Sequence, residues 1–316
     1  MLPLTLPKFA LPKILSKIRL PQDARDYQIL FLSLFLILGV STRDWTLHPD
    51  LMLLVFGVCW LTQAVAVVFT QAIAPKSMPQ EQLGKFPLNI PNPTYFSHLQ
   101  NLGSLRSATI TALGLCLLLR SDSYVTMAVA AFLAIISKFI FRLNGKHWFN
   151  PANFGIVAAL SLGEHAWVSP GQWGDDSWYA LLFLGLGALI LKRVGRWDTS
   201  ITFLGAYALL EGVRNLWLGW TFDVLAHRLM SGSLLLFALF MVTDPRSIPN
   251  ARIGRIVWAV AIAVLTFVLR NQFYIADAMF YALFALSPLT LLCDRIWSGS
   301  KFSWSPRLPE LAIARS

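Results

Sequence analysis

Two short polar turns, each containing a proline, hold the residues whose types are suited to chemistry. In the first turn, Asn150 can cap a helix that begins at Pro151. The free backbone N–H groups and the positive dipole end of such a helix attract anions. With Lys146 and Asn153 close by in the sequence, this helix end suits a phosphate or a carboxylate. Lys146, Asn150 and Asn153 are therefore predicted to bind an anionic ligand.

The second turn follows a helix that ends at Thr243 and Asp244, because Pro245 blocks its continuation. Asp244 can form an ion pair with Arg246, Arg252 or Arg255 at a membrane boundary. Both turns join an apolar helix to a further helix through an NP or DP step, which suggests an internal duplication and a central binding site between interrupted helices. Two ordinary capped loops with basic orientation signals explain the same spacing equally well. Thr243, Asp244 and Arg246 complete the predicted binding site.

Other chemical motifs are missing from the sequence. The five histidines are dispersed without the spacing of metal ligands, and the three cysteines stand alone. The sequence contains no GxSxG, P-loop or GxGxxG motif. Lys138 lies about one turn from the end of an apolar stretch, where a lysine usually extends its ammonium to the interface. No metal site, catalytic residue or autonomous active site is predicted.

The composition identifies the class of protein. Of the 316 residues, 56% are hydrophobic and 13% are charged, whereas a soluble domain carries about 25% charged residues. This difference excludes a soluble globular enzyme, and the high hydrophobicity excludes a disordered chain. The net charge of +10 is explained by basic residues on cytoplasmic loops, which face lipid headgroups. A surface that binds nucleic acid is not expected.

Apolar runs that are separated by charged residues, prolines and glycines predict an all-α polytopic membrane protein. About ten transmembrane helices are expected, because each span needs about 20 residues. Lys and Arg are frequent in the tails and in the even-numbered loops and sparse in the odd-numbered loops, which predicts that both termini are cytoplasmic at the inner membrane. The predicted spans are 28–42, 49–73, 104–121, 122–143, 150–163, 176–193, 198–217, 225–243, 253–270 and 274–293.

The spans form one predicted transmembrane domain, 28–295, with tails on either side. Residues 1–27 alternate apolar and basic residues and are expected to lie on the inner membrane surface, although they also suit docking to a partner. The loop 74–103 contains five prolines and is expected to cover the cytoplasmic face. A cytoplasmic tail, 296–316, ends the chain.

Three segments carry a resemblance to a known family. They read GKHWFNPANFG from Gly145, FALFMVTDPRSIPNARIGR from Phe237 and FYIADAMFYALFALSPLTLLCD from Phe273. They resemble the family that contains the D subunit of the Rnf electron-transport complex and the B subunit of the sodium-pumping NADH:quinone oxidoreductase. The resemblance implies two inverted five-helix repeats with interrupted helices, a bound flavin, and electron transfer across the membrane coupled to movement of Na⁺ or H⁺.

One departure from the family concerns the flavin. Family members with covalent FMN attach it to a threonine in an [ST]GAT motif, and this sequence contains no such motif. Covalent FMN is therefore not expected. The resemblance leaves a non-covalent flavin (FMN or riboflavin), a quinone, or no cofactor, with the six polar residues of the two turns as the expected binding residues.

Three functions are compatible with these observations. The leading hypothesis is an Rnf-D-like membrane subunit in electron transfer or ion-coupled transport, which would be at most a non-autonomous subunit of a membrane oxidoreductase. The alternative is a transporter or channel for a small solute or natural product without a redox role. The third is an assembly subunit that works through its N-terminal tail. The expected partners are the lipid bilayer and either other membrane redox subunits or a second copy of the chain.

Overall fold

The structure, a computed structural model, is mostly helical in the residues that it describes. Most of the predicted N-terminal tail, the loop 74–99 and the end of the C-terminal tail lie outside the described residues. The described residues are 23–42, 46–73, 100–143, 145–163, 165–169 and 177–302.

Twelve α-helices lie in the described part of the chain, at the positions where apolar runs predicted spans. The helix that follows the first turn is short, as expected, and it is continuous. The helices are α1 (Ala24–Thr42), α2 (Pro49–Ile73), α3 (Gln100–Leu118), α4 (Tyr124–Ile140), α5 (Pro151–Leu162), α6 (Ser177–Val194), α7 (Trp197–Trp217), α8 (Phe222–Leu229), α9 (Gly232–Leu236), α10 (Arg252–Asn271), α11 (Ala278–Leu286) and α12 (Leu289–Ile296).

Two pairs of these helices are bent. The chain turns by 49° between α8 and the helical segment Gly232–Met241, whose last turn, Phe237–Met241, is π-helical, and by 50° between α11 and α12. Three helices of the described chain, α1, α2 and α10, are long and apolar enough to cross a membrane, and the number rises to five if each bent pair is one span. The all-α membrane fold is confirmed at this level, and the count of ten spans stays a prediction.

The odd-numbered loops of the predicted topology contact one another. Strand β1 (Leu119–Ser121) pairs antiparallel with β4 (Ala166–Val168), which joins the third loop to the fifth. The Tyr124 hydroxyl at the start of α4 donates to Asp50 at the start of α2, next to the first loop. We call this side of the bundle the odd face.

The even-numbered loops meet at the opposite ends of the helices, on the even face. The fourth loop contains the small hairpin β2 (Arg142–Leu143) and β3 (Lys146–His147). Lys146 in this hairpin forms an ion pair with Asp294 of α12. At the same face, the Arg255 guanidinium donates to Asp198 with N···O distances of 2.6 and 2.9 Å, which joins α10 to α7.

Helix packing is similar in the two halves of the bundle. In the first half, α4 packs against both α2 and α5, and in the second half α10 packs against both α7 and α11. Between the halves, α1 contacts α6 and α5 contacts α11. The largest fully buried side chains include Phe35, Tyr207 and Trp258, so the apolar core extends through both halves.

Gly155 shows how closely α5 approaches α4. A Cβ atom added at Gly155 would lie 2.6 Å from the Ala130 carbonyl oxygen and 2.8 Å from the Ala134 Cβ. Both neighbouring atoms belong to the α4 backbone or to a short side chain, so neither can rotate away. The absence of a side chain at Gly155 therefore sets the distance between the two helices, and with it the position of the first turn.

Gly155→Ala is expected to lower the free energy of unfolding by about 1–3 kcal/mol, because overpacking forces the backbones apart. Gly205→Ala is the matched control, since Gly205 lies inside α7 and an added Cβ there meets nothing within 4 Å. The control should be neutral or more stable by about 0.5–1 kcal/mol. Thermal unfolding in detergent measures both variants, and equal stability of the two would contradict the close α4–α5 contact.

Candidate functional site

The first turn is a rigid helix cap. Asn150 has extended backbone dihedrals (φ −65°, ψ 126°), and its side-chain oxygen accepts a hydrogen bond of 3.0 Å from the Asn153 backbone N–H. Pro151 occupies the first position of α5, as predicted. The Asn150 side-chain amide also donates to the Met241 carbonyl at 3.3 Å. Asn150 therefore caps α5 and ties it to the end of the π-helical turn.

Asn153 is completely buried where α5 meets α11. Its side-chain amide donates to the Phe280 carbonyl of α11 at 3.2 Å. Its side-chain oxygen is buried and has no protein hydrogen-bond partner in the described part of the chain. An unsatisfied buried acceptor costs about 1–3 kcal/mol, so this oxygen is a candidate for binding a ligand donor.

The second turn is closed by its own side chains. The Thr243 hydroxyl donates to the Leu239 carbonyl at 2.8 Å, and Asp244 accepts from the Arg246 backbone N–H and the Ser247 hydroxyl, both at 3.2 Å. Burial raises the pKa of Asp244, and these two hydrogen bonds act against the rise. The Asp244 carboxylate is thus used to hold the turn.

The two turns contact each other on the even face. The His147 backbone N–H donates to the Arg246 carbonyl at 3.1 Å, next to the bond from Asn150 to Met241. The structure therefore brings Asn150 next to the second turn, which holds Thr243, Asp244 and Arg246. The side-chain amide of Asn153 contacts α11 instead. The sixth predicted residue, Lys146, points elsewhere.

The ammonium group of Lys146 is held away from the N-terminus of α5. It forms an ion pair with Asp294, and Asp294 also accepts from the backbone N–H and the side-chain amide of Asn250, at 2.7 and 2.9 Å. Burial lowers the pKa of Lys146, and the Asp294 carboxylate opposes this shift. Lys146 therefore neutralises a carboxylate of the protein instead of adding charge beside Asn150.

Four aromatic rings surround the first turn. Phe149 stacks on Phe284 with ring centroids 4.8 Å apart, and Phe154 lies 5.3 Å from Phe149 and 5.6 Å from Phe284. Phe141 contacts Phe149 and Phe154 at 5.4 and 5.5 Å. The cluster includes Phe284 of α11, the helix to which the Asn153 side-chain amide donates.

Two further residues of the site are not predicted by the sequence. The prediction that Lys138 extends to the interface is wrong, because this side chain is 5% exposed and donates to Ser107 at 3.3 Å. The imidazole of His147 is buried, donates to the backbone of Lys138, and has an unpartnered Nδ1 among the described residues. A single lysine near the end of a span and a dispersed histidine carry no sequence signal of such burial.

Comparison with known proteins gives a match in the second half of the chain. Residues 161–302 match the model of the NQR2, RnfD, RnfE family. This part of the chain is similar to that family. The predicted resemblance is thereby confirmed for the second turn and the last helices, whereas the Asn150–Pro151 step lies just before the matched residues.

Several Rnf-type D subunits are similar to the chain. The D subunit of the ion-translocating oxidoreductase complex of Stutzerimonas stutzeri is 30% identical over 152 residues, which are 46% of this chain and 41% of the relative. The D subunit of the proton-translocating ferredoxin:NAD(+) oxidoreductase complex of Clostridium ljungdahlii is 28% identical over 153 residues, 47% of this chain and 45% of the relative. The chain thus spans less than half the length of these relatives.

His147 gives the site a predicted pH dependence. Burial holds the pKa of His147 well below its ordinary value of 6.5, and Arg246 and Arg142 act in the same direction. Below pH 6.5 the unfolded chain therefore binds a proton at His147 that the folded chain does not bind. The free energy of unfolding consequently falls by about 1.4 kcal/mol per pH unit below pH 6.5, and above that pH it does not depend on His147. His147→Gln, which keeps a donor for the Lys138 backbone, should remove this part of the loss.

Thermal unfolding in detergent at about pH 7.5 and about pH 5.5 measures the effect. His48→Gln is the control, because His48 is an exposed histidine at the start of α2. The same acid-induced loss in wild type and His147→Gln would show that His147 is not buried in the neutral form.

Proposed function

We propose that the chain is an integral membrane subunit of the Rnf D type that acts in membrane electron transfer or ion-coupled transport, without covalent FMN. The family match over residues 161–302 carries this proposal. It is supported by apolar helices that enclose polar turns, which is typical of membrane subunits with a central site. On this proposal, the partners are other membrane redox subunits of the same complex.

The cofactor site is proposed to lie between α5 and α11, beside the aromatic cluster. The Asn153 oxygen and the His147 Nδ1 are buried acceptors without a protein partner in the described chain, so they fit a ring N–H or O–H donor. Phe149, Phe154 and Phe284 fit the flat face of such a ring. A bound flavin or quinone would supply the one- and two-electron chemistry that amino-acid side chains lack.

Two of the groups predicted to bind a phosphate already have partners within the protein. Lys146 is paired with Asp294, and Asn150 already caps the N-terminus of α5. Riboflavin or a quinone therefore fits better than FMN. In this arrangement Asn153 and His147 orient the ring, the phenylalanines exclude water, and the buried ammonium of Lys138 places a positive charge near the site.

The ten-span topology with two inverted repeats is part of the proposal. The repeated packing of α4 with α2 and α5, and of α10 with α7 and α11, supports a duplication. The contacts between the halves, α1 with α6 and α5 with α11, join corresponding helices, as a two-fold relation requires. If the first five spans correspond in order to the last five, the second turn corresponds to the loop after α3. The two proline turns are therefore not equivalent positions of the two repeats, although they are neighbours in space.

Orientation is tested by labelling with a membrane-impermeant maleimide in a Cys293→Ser background, in which Cys59 and Cys116 stay buried. Trp217→Cys on the odd face should react in intact cells, because Trp217 is 88% exposed. Lys301→Cys on the even face should react only after the membrane is opened. Labelling of both positions from the same side would contradict the alternating topology.

Cofactor binding is tested by the absorbance spectrum and cofactor extraction of the purified full chain. Riboflavin or a quinone is expected, and Asn153→Leu should lower its occupancy by about tenfold, since a buried hydrogen bond is lost. Asn215→Leu is the matched control, because Asn215 is a buried asparagine that binds loop carbonyls on the odd face.

Two results would contradict this part of the proposal. An extract without flavin or quinone would remove the cofactor and favour transport of a small solute. Equal occupancy in Asn153→Leu and in wild type would place the cofactor elsewhere in the chain.

A further inference from the structure

Two exposed stripes begin side by side on α7 and α10. Every fourth residue is exposed from Trp197 on α7 and from Arg252 on α10, and residues four apart share one face of a helix. The Arg252 guanidinium lies 5.6 Å from the Trp197 ring centroid, so the stripes are neighbours at their even-face ends. Beyond these two residues the stripes are apolar, with Ile201, Gly205, Leu209 and Val213 on α7 and Ile256, Val260 and Val264 on α10.

The α7 stripe is long enough for the acyl chains of one leaflet. Trp197 and Leu209 are twelve residues apart, which is about 18 Å along a helix. The hydrocarbon region of one leaflet is about 15 Å thick, half of a typical bilayer core. Gly205 lies between them, and a Cβ atom added there meets nothing within 4 Å. The stripe therefore has open space at its middle, where an acyl chain can lie against the helix.

Basic side chains gather where the stripes reach the even face. The side chain of Arg252 is 66% exposed. Arg196 directly precedes α7, and its guanidinium lies 5.7 Å from the Phe302 ring centroid. The Nε of Arg196 is buried and has no hydrogen-bond partner in the described part of the chain. Two further exposed lysines lie close by in the sequence, Lys192 before Arg196 and Lys301 before Phe302.

The carboxylates nearby do not neutralise these two arginines. Asp198 accepts from two nitrogens of Arg255, at 2.6 and 2.9 Å. The Nε of Arg252 lies 4.0 Å from the same carboxylate, at the outer limit of an ion pair. Asp294 acts on Arg196 only through its electrostatic field, and it already has a lysine partner. Arg196 and Arg252 therefore leave the even-face ends of the stripes with excess positive charge.

This combination of groups matches an anionic phospholipid. Arginine donates several N–H groups to the oxygens of one phosphate, and basic pockets at the ends of membrane helices attract anionic headgroups. A tryptophan at the end of a span favours the headgroup level of the membrane, as the position of Trp197 requires. A helix of a partner protein is disfavoured, because membrane helices associate through small or polar residues and the stripes are mainly large and aliphatic.

We propose that the stripes of α7 and α10 hold an anionic phospholipid, whose phosphate contacts Arg252 and Arg196 beside Trp197. Its acyl chains lie over Gly205 and along the aliphatic side chains of the two stripes. This inference goes beyond the electron-transfer or ion-coupled role and does not depend on it, because it uses only the membrane class and the packing of two helices. The bound lipid stabilises the folded chain, since it binds the folded state and not the unfolded one.

Thermal unfolding of the purified full chain in detergent tests the kind of ligand. Added dioleoyl phosphatidylglycerol should raise Tm in a saturable manner. Phosphatidylcholine with the same acyl chains should raise Tm much less, because its headgroup carries no net charge. Glycerol phosphate should not reproduce the rise, since it has no acyl chains to cover the stripes. Equal rises with the two lipids, or an equal rise with glycerol phosphate, would overturn the lipid site.

Arg252→Gln tests the position of the headgroup. The side chain is largely exposed and Asp198 keeps its bonds to Arg255, so the variant should fold with an unchanged Tm in detergent alone. The phosphatidylglycerol concentration that gives half of the Tm rise should increase by about tenfold, since a charge-assisted hydrogen bond to phosphate is lost. Arg252→Lys keeps the positive charge and should recover most of the affinity.

Arg106→Gln is the matched control on the same face. Arg106 is a partly exposed arginine near the start of α3 that pairs with Asp26 of α1, in the other half of the bundle. Its substitution should leave the half-saturating phosphatidylglycerol concentration unchanged, whereas Arg196→Gln/Arg252→Gln should remove the preference for phosphatidylglycerol over phosphatidylcholine. The same shift in Arg106→Gln as in Arg252→Gln, or a preference that persists in the double variant, would contradict the site.

Discussion

One chain of charged hydrogen bonds holds the even face together, and the candidate site depends on it. The bonds run from Asp198 to Arg255, from Arg255 to the Asn250 carbonyl at 2.6 Å, from Asn250 to Asp294 and from Asp294 to Lys146. The charged groups of this chain are largely buried by the protein, so each must find its partner within it. Because the bonds join the loops of both turns to α7 and α12, they fix the position of the first turn relative to the second half of the bundle.

The helix pair α7 and α10 connects the two faces of the second half. Near one end it carries the ion pair of Asp198 and Arg255, both under 10% exposed, and near the other end the pair of Glu211 and Asn271. Buried pairs of this kind add little net stability, but removal of one partner is strongly destabilising. The two helices therefore form a fixed support, against which the short helix α8 and the turns of the even face are placed.

Several elements could be predicted from the sequence because their causes are local. Asn150 and Pro151 begin α5 as expected, since capping and a fixed proline φ act within one turn. Pro245 ends a helical segment for the same kind of reason. The apolar runs correctly located the helices, but they could not show the bends after α8 and α11, because an apolar run reads the same on both sides of a bend.

The partners of charged side chains could not be predicted from the sequence. Lys146 and Asp294 are 148 residues apart, and Glu211 and Asn271 are 60 apart, so no spacing rule connects them. From its position near the end of a span, the ammonium group of Lys138 is expected to reach water. The packing of α4 against α2 and α3 buries it instead. The sequence by itself determined the membrane class, the helix positions and the two polar turns, since hydrophobicity and capping are short-range properties. The tertiary structure decided which charges meet, because pairing in an apolar interior depends on which helices pack together.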